Sequence, residues 1–138
     1  MGDTIVWLFV AIIIVGGGFL GLMMLTRKGS KHLDQQKYRE RWLAISSAMT
    51  NDSGTQELAI INADKLLDQA LRERGVSGET MGERLKAAKA MFSDNNGVWN
   101  AHKLRNRIAH ENTVKLNAIV TKRAMSAFKT ALKDVGAL

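Results

Sequence analysis

The sequence predicts an all-α protein: a single N-terminal transmembrane helix followed by a four- or five-helix antiparallel bundle. Three observations carry that expectation. Residues 4–25 contain no charged side chain, and at about 1.5 Å per residue they span roughly 33 Å as a helix, close to the ~30 Å hydrocarbon core of a bilayer. Beyond them apolar residues recur at helical spacing, and no stretch shows the period-two alternation of a strand. The 138 residues include no proline, and the 12 glycines are the only strong breakers, which points to helices separated by glycine turns. The chain divides into an anchor (1–26), a basic juxtamembrane linker (27–36) and a helical domain (37–138). That domain is large enough for a modest core and too short for a second ordinary domain.

The anchor reads as uncleaved. A signal peptide needs a basic region in front and a small-residue cleavage site. Here Asp3 precedes the apolar run, and Arg27, Lys28 and Lys31 follow it. The positive-inside bias then places the N-terminus outside and the rest in the cytoplasm, at the plasma (inner) membrane. Gly17 and Gly21 share one helix face, which allows two such helices to approach closely. Glycine is common in membrane helices, so the pair is equally compatible with no interface.

All 20 Lys and Arg lie at or beyond Arg27, with 12 of the 13 acids, so this part carries 20 − 12 = +8 with His neutral. Such a balance favours anionic partners: RNA, DNA, or an anionic membrane face. A solvated surface beside lipid headgroups fits equally well. The absence of cysteine excludes a disulfide framework and thiolate chemistry.

Five helical stretches follow the anchor. Tyr38, Trp42, Ile45 and Met49 mark an amphipathic helix over 33–50. Its aromatic stripe packs on the core or, alternatively, lies in the membrane interface. After the turn at 51–54, with Ser53 or Thr55 as cap, Ala59, Ile60, Ala63, Leu66, Leu67, Ala70 and Leu71 fill one face of the strongest helix. Asn62, Asp64, Lys65, Asp68, Gln69 and Arg72 lie largely on the other. Gly75 closes it. Thr80-Met81-Gly82-Glu83 has the form of a capping box and opens a short helix to about Phe92. Residues 93–97 form a turn, and Val98, Ala101, Leu104 and Ile108 then give a helix over 98–110. The last helix, with Thr113 as candidate cap, carries Val114, Ala118, Met125, Phe128, Leu132 and Val135 on one face.

One stretch concentrates chemistry: Leu104-Arg105-Asn106-Arg107-Ile108-Ala109-His110-Glu111. Arginine presents a fixed fork of donors suited to phosphate oxygens, and histidine moves protons near neutral pH. On a helix, His102, Asn106 and His110 form a polar stripe at i, i+4 and i+8. Arg105 and His110 lie about 140° apart around an ideal helix. They converge only if the helix ends near His110 or a second subunit supplies half of the site. His102 and His110 stand roughly 12 Å apart along the axis, too far to share a metal ion directly. No His-Glu-x-x-His motif is present, so metal-free chemistry is the better reading. A histidine near a helix C-terminus is also favoured by the macrodipole, and arginines can simply solvate a surface.

The stretch resembles the mark of the HEPN superfamily (higher eukaryotes and prokaryotes nucleotide-binding domains), an Arg-Asn-x-x-x-His motif near the start of the last major helical element of an antiparallel bundle. Arg105, Asn106 and His110 match it residue for residue. Asn-Ala-Asp-Lys-Leu-Leu-Asp at 62–68 resembles the family's first core helix. The resemblance covers roughly 37–136 and leaves the anchor outside. It implies a homodimer with two motifs facing across a cleft and, in active members, a metal-independent endoribonuclease without cofactor. By that analogy, His110 is the general acid or base, Arg105 stabilises transition-state charge, and Asn106 orients the histidine or the phosphate. Lys103, Arg107 and His102 would bind the RNA. Two residues past the histidine stands Asn112, where one toxin branch carries a tyrosine that is adenylylated, so that regulation is not implied.

Three readings follow. The first is a membrane-anchored HEPN-like ribonuclease. The second is a non-catalytic membrane-bound module that binds a nucleotide, RNA or protein. The third is a helical accessory subunit that uses Trp42, Trp99 and the basic faces as contacts. The partners expected are membrane lipid, RNA or a nucleotide, and a second copy of the chain.

Overall fold

A computed structural model describes residues 2–26, 31–111 and 114–138, with side chains placed from 5 to 21 in the first segment. Among the described residues there are six α-helices and no strand. The chain falls into two units, Met1–Ser30 and Lys31–Leu138.

The first unit is a single helix, α1 (Gly2–Thr26). Its large apolar side chains, among them Ile5, Trp7, Phe9, Ile13 and Phe19, are exposed along its length. Among the described residues no helix is both long and apolar enough to cross a membrane. The basic residues Arg27 and Lys28 lie outside the described residues.

The second unit contains α2 (Gln35–Ala48), α3 (Ser53–Glu73), α4 (Met81–Ala87), a 3-10 turn (Lys89–Met91), α5 (Asn95–His110) and α6 (Ala118–Asp134). The central helix is α3, which packs against α2, α4, α5 and α6, while α5 also packs on α6. Its expected apolar face, from Ala59 through Ile60, Leu67 and Leu71, is buried without exception. Burying each such Leu or Ile stabilises the fold by about 1.5–3 kcal/mol before entropy is counted. Val98 and Ala101 of α5 and Met125, Phe128 and Leu132 of α6 close over it. Tyr38 and Trp42 of α2 are buried in the same core, so the aromatic stripe packs inward and Trp42 is not a surface contact. Burial, and then the neighbouring Glu73 carboxylate, push the Tyr38 phenol up from its ordinary value.

The caps explain where the helices begin and end. Asp52, rather than Ser53 or Thr55, caps α3, its carboxylate accepting the Thr55 N–H at 3.1 Å. At the other end Gly75 adopts φ 82°. The Gly75 N–H reaches the Arg72 carbonyl and the Val76 N–H that of Leu71, a Schellman closure that favours glycine. Thr80 caps α4 as expected, but Glu83 reaches back to the Glu79 N–H at 2.7 Å instead of to Thr80. This helix ends at Ala87, short of Phe92.

In α5 the helix starts at Asn95, three residues before the expected Val98, because the Asp94 carboxylate accepts the Gly97 N–H at 2.8 Å. A Cβ on Gly97 would stand 2.0 Å from that carboxylate, so the supposed turn glycine is part of the cap. The start of α6 is set by Asn117, whose side chain accepts the Val120 N–H at 2.8 Å. The expected cap Thr113 lies outside the described residues. Ala118, placed on the apolar face of α6, is exposed at the helix start.

Two buried polar ties lock α3 to its neighbours. Thr121 of α6 donates to Gln56 at 2.8 Å. Arg84, 4% exposed, pairs with Asp68 at 2.6 Å and also donates to the Gly78 carbonyl. A buried guanidinium needs such multiple acceptors to offset its desolvation.

Candidate functional site

A groove of the second unit lies where α3, the start of α4 and α5 meet, with a volume of about 650 Å³. Four cations line it: Lys65 and Arg72 from α3, and Lys103 and Arg105 from α5. Two carboxylates, Asp64 and Asp68, face them. Asp68 is already held by Arg84 at 2.6 Å and Arg72 at 2.8 Å. Met81 and Trp99 supply an apolar wall. Trp99 meets the His102 ring edge-on, with 6.0 Å between centroids.

At the floor of this groove a ring of four side chains closes on itself. Asp64, 3% exposed, and His102, 8% exposed, are bonded through His Nδ1 and Asp Oδ1 at 2.8 Å. The far imidazole nitrogen, Nε2, lies 3.2 Å from Asn106 Nδ2. Asn106 Oδ1 accepts from Arg105 Nη1 at 3.0 Å. Arg105 Nε faces Asp64 Oδ2 at 3.5 Å, an ion pair too long for a hydrogen bond, which leaves that buried N–H without an acceptor.

This connectivity fixes the protons. Arginine can only donate, so the Asn106 group facing Arg105 is its oxygen, and its amide nitrogen faces the imidazole. An amide nitrogen can only donate, so His102 Nε2 accepts and Nδ1 carries the proton given to Asp64. The arrangement is an Asp–His pair whose basic nitrogen points toward Asn106 beside a cationic groove.

The Arg-Asn-x-x-x-His stretch is therefore split. Arg105 and Asn106 line the groove together with His102 and Lys103. His110 does not. It sits exposed in the last turn of α5, two turns beyond His102, as 3.6 residues per turn dictate. Arg107 also points away, its guanidinium paired with Glu111 at 3.1 Å. Within one chain the expected trio Arg105, Asn106 and His110 does not converge, and Arg107 is not part of the groove.

Asp64 is the residue that sequence reasoning misplaced. The helical wheel put it on the polar face of α3, yet it is buried. A signal was present: Asp64 follows Ile60 by four residues and precedes Leu67 by three, so a carboxylate stands inside the apolar stripe. Such a group is buried only when another element brings it a partner, and α5 brings His102. Among the described residues no three His, Cys, Asp or Glu side chains group as metal ligands would.

Compared with protein-family models, with curated proteins and with solved structures, the chain matches none.

Proposed function

We propose that residues 31–138 form a HEPN-like module that binds RNA in the groove between α3, α4 and α5, tethered to the inner membrane by residues 4–25. One observation carries the reading: Arg105 and Asn106, the two motif residues suited to a phosphate, line a cationic groove with an aromatic wall. Phosphate neutralisation by Lys and Arg supplies most of the affinity for a nucleic-acid backbone. A half-buried tryptophan beside it offers a face or edge to a base. The groove's volume of about 650 Å³ falls within the range of ligand clefts, roughly 300–1,000 Å³.

The anchor rests on the uncharged run at 4–25 and the exposed apolar surface of α1, with Arg27, Lys28 and Lys31 placing the module on the cytoplasmic face. The resemblance adds that two copies pair. It also assigns cleavage to His110, and because His110 stands outside the groove, that chemistry requires a second chain to deliver it.

The test is fluorescence anisotropy of a labelled single-stranded RNA with the full chain in detergent. Binding that weakens steeply with salt, and falls about tenfold in Lys65→Glu and Lys103→Glu, is the expected result. No binding by the parent, or binding by both variants as tight as the parent's, would sink the reading; competition by a mononucleotide alone would make the ligand a nucleotide. Resistance of the full chain to alkaline carbonate extraction tests the anchor, which release into the supernatant would refute.

A further inference from the structure

We infer that the outer face of α6 is a docking surface for anionic lipid headgroups, by which residues 31–138 lie down on the leaflet that the anchor tethers them to. The inference rests on the membrane reading of residues 4–25 and goes beyond it.

The positive charge of the second unit is concentrated in one stretch. Residues 31–111 hold 13 Lys and Arg against 11 Asp and Glu, a net of +2, whereas 112–133 hold five and none. The acids that flank this stretch are engaged elsewhere. Glu111 pairs with Arg107, and the Asp134 carboxylate accepts the Ser93 N–H and hydroxyl, each at 2.8 Å. Among the described residues no carboxylate pairs with Lys115, Lys122, Arg123, Lys129 or Lys133. A surface that had only to stay soluble would mix the two signs, and Lys129 and Lys133, four residues apart on one helix, repel each other.

Helical periodicity draws these cations into a line. Met125, Phe128 and Leu132 point into the core. At about 100° per residue, Ile119, Lys122, Ser126, Lys129 and Lys133 then share the opposite face, and all five are exposed. The line runs about 21 Å along the helix at 1.5 Å per residue.

Two features favour a lipid surface over a nucleic-acid strand. The face is a ridge without a stacking platform: Phe128, the one aromatic residue of 114–133, is buried, and single strands bind where bases can stack. Ile119, 71% exposed, stands at one end of the line. An apolar side chain among lysines suits the boundary between headgroups and acyl chains, where it enters and the ammonium groups stay with the phosphates. Each cation held within a Debye length of an anionic leaflet raises the docked population about fivefold.

The absence of cysteine makes the test clean. Ser126→Cys gives a unique site for a fluorophore in the middle of the line, and Ser47→Cys gives one on the exposed side of α2. The full chain is reconstituted into vesicles of phosphatidylcholine, alone or with an equal part of phosphatidylglycerol. Each vesicle carries a spin-labelled headgroup lipid that quenches at short range, and thermal melting confirms each fold.

The Ser126→Cys label should be quenched with phosphatidylglycerol, released by salt, and unquenched in phosphatidylcholine alone. The Ser47→Cys label should stay bright in both. Lys122→Gln with Lys129→Gln lowers the ratio of docked to free protein about 25-fold. Lys86→Gln with Lys89→Gln removes the same charge from exposed positions off the line and changes the ratio less than about twofold. Equal quenching at the two sites, or equal losses from the two double variants, means attraction by net charge alone and overturns the inference. Displacement of the Ser126→Cys label by single-stranded RNA, undiminished in Lys65→Glu and Lys103→Glu, makes the ridge a nucleic-acid surface and overturns it too. Flotation of the vesicles separates this inference from the anchor. A chain that floats with phosphatidylcholine alone, yet is never quenched with phosphatidylglycerol, is anchored and not docked, which overturns the inference only. A chain that floats and is quenched only with phosphatidylglycerol, and leaves with salt, upholds the docking and removes the anchor.

Discussion

His102 and His110 sit on the same helix, eight residues apart, and the structure gives them opposite environments. His102 is 8% exposed, bonded to Asp64 through one nitrogen and to Asn106 through the other. His110 is exposed in the last turn. Their difference has nothing to do with helix propensity or with the motif that names one and omits the other. It follows from what packs opposite. At the level of His102, α3 presents a buried carboxylate, and α4 brings Thr80, Met81 and Gly82 to the rim. A histidine becomes a defined chemical group when its neighbours fix its protons, and only one of this pair has such neighbours.

Asp64→Ala breaks the comparison most severely. It leaves the His102 N–H without its acceptor in a buried site and removes the charge facing Arg105. The expected loss is about 3 kcal/mol of unfolding free energy, read from urea midpoints of the full chain. A loss under about 0.5 kcal/mol, the range of ordinary surface changes, would show that the ring contributes nothing to the fold. Next comes the direct pairing of the histidines. His102→Ala should cost about 1–3 kcal/mol through the orphaned Asp64 carboxylate, and His110→Ala less than about 0.5 kcal/mol. Equal costs would mean that α5 is rotated from the orientation described.

Gly82→Ala sharpens the contrast from the groove side. Alanine is preferred over glycine in a helix by up to about 1 kcal/mol, and the added Cβ meets only ordinary contacts. The melting temperature should rise while RNA affinity falls, a divergence that a purely structural role for the groove would not produce.

The smallest expected effect lies away from the groove, at Glu73. Lys37, hydrogen-bonded to it at 3.0 Å, holds its carboxyl below the usual range, against an opposing effect of burial. A lowered folded-state pKa contributes stability that is present above the unfolded value and lost as pH falls through the folded one. The pair is more than a third exposed on the Lys37 side, so screening keeps the effect modest. Urea midpoints taken from neutral to mildly acidic pH should fall less in Lys37→Met than in the parent. An identical fall would assign no role to the pair.

Much of the architecture is legible without coordinates because helices announce themselves locally. The apolar stripe of α3, the Gly75 stop and the Thr80–Glu83 start all depend on residues within one or two turns of each other. The boundaries that went astray did so for equally local reasons. Asp94 captures the Gly97 N–H and draws a turn into α5, and Asn117 opens α6. The candidate site was legible by half. Arg105 and Asn106 stand out in the sequence as residues suited to a phosphate, and the fold places both along one groove with Lys103 and His102. His110 and Arg107 do not, because a helix carries its residues around and along the axis, and adjacency in sequence becomes separation in space.

The sequence alone determined that this chain is helical, that its charge is segregated to one side of an apolar run, and that its strongest chemistry sits on α5. Each of these is a property of composition or of spacing along one element. Tertiary structure alone decided which histidine has a carboxylate, which face of α3 accepts a charge, and which cations share a groove. Those depend on elements separated by 38 residues, the distance between Asp64 and His102. A carboxylate inside an apolar stripe is unfavourable until a partner from elsewhere in the chain removes the penalty, and no local pattern names that partner.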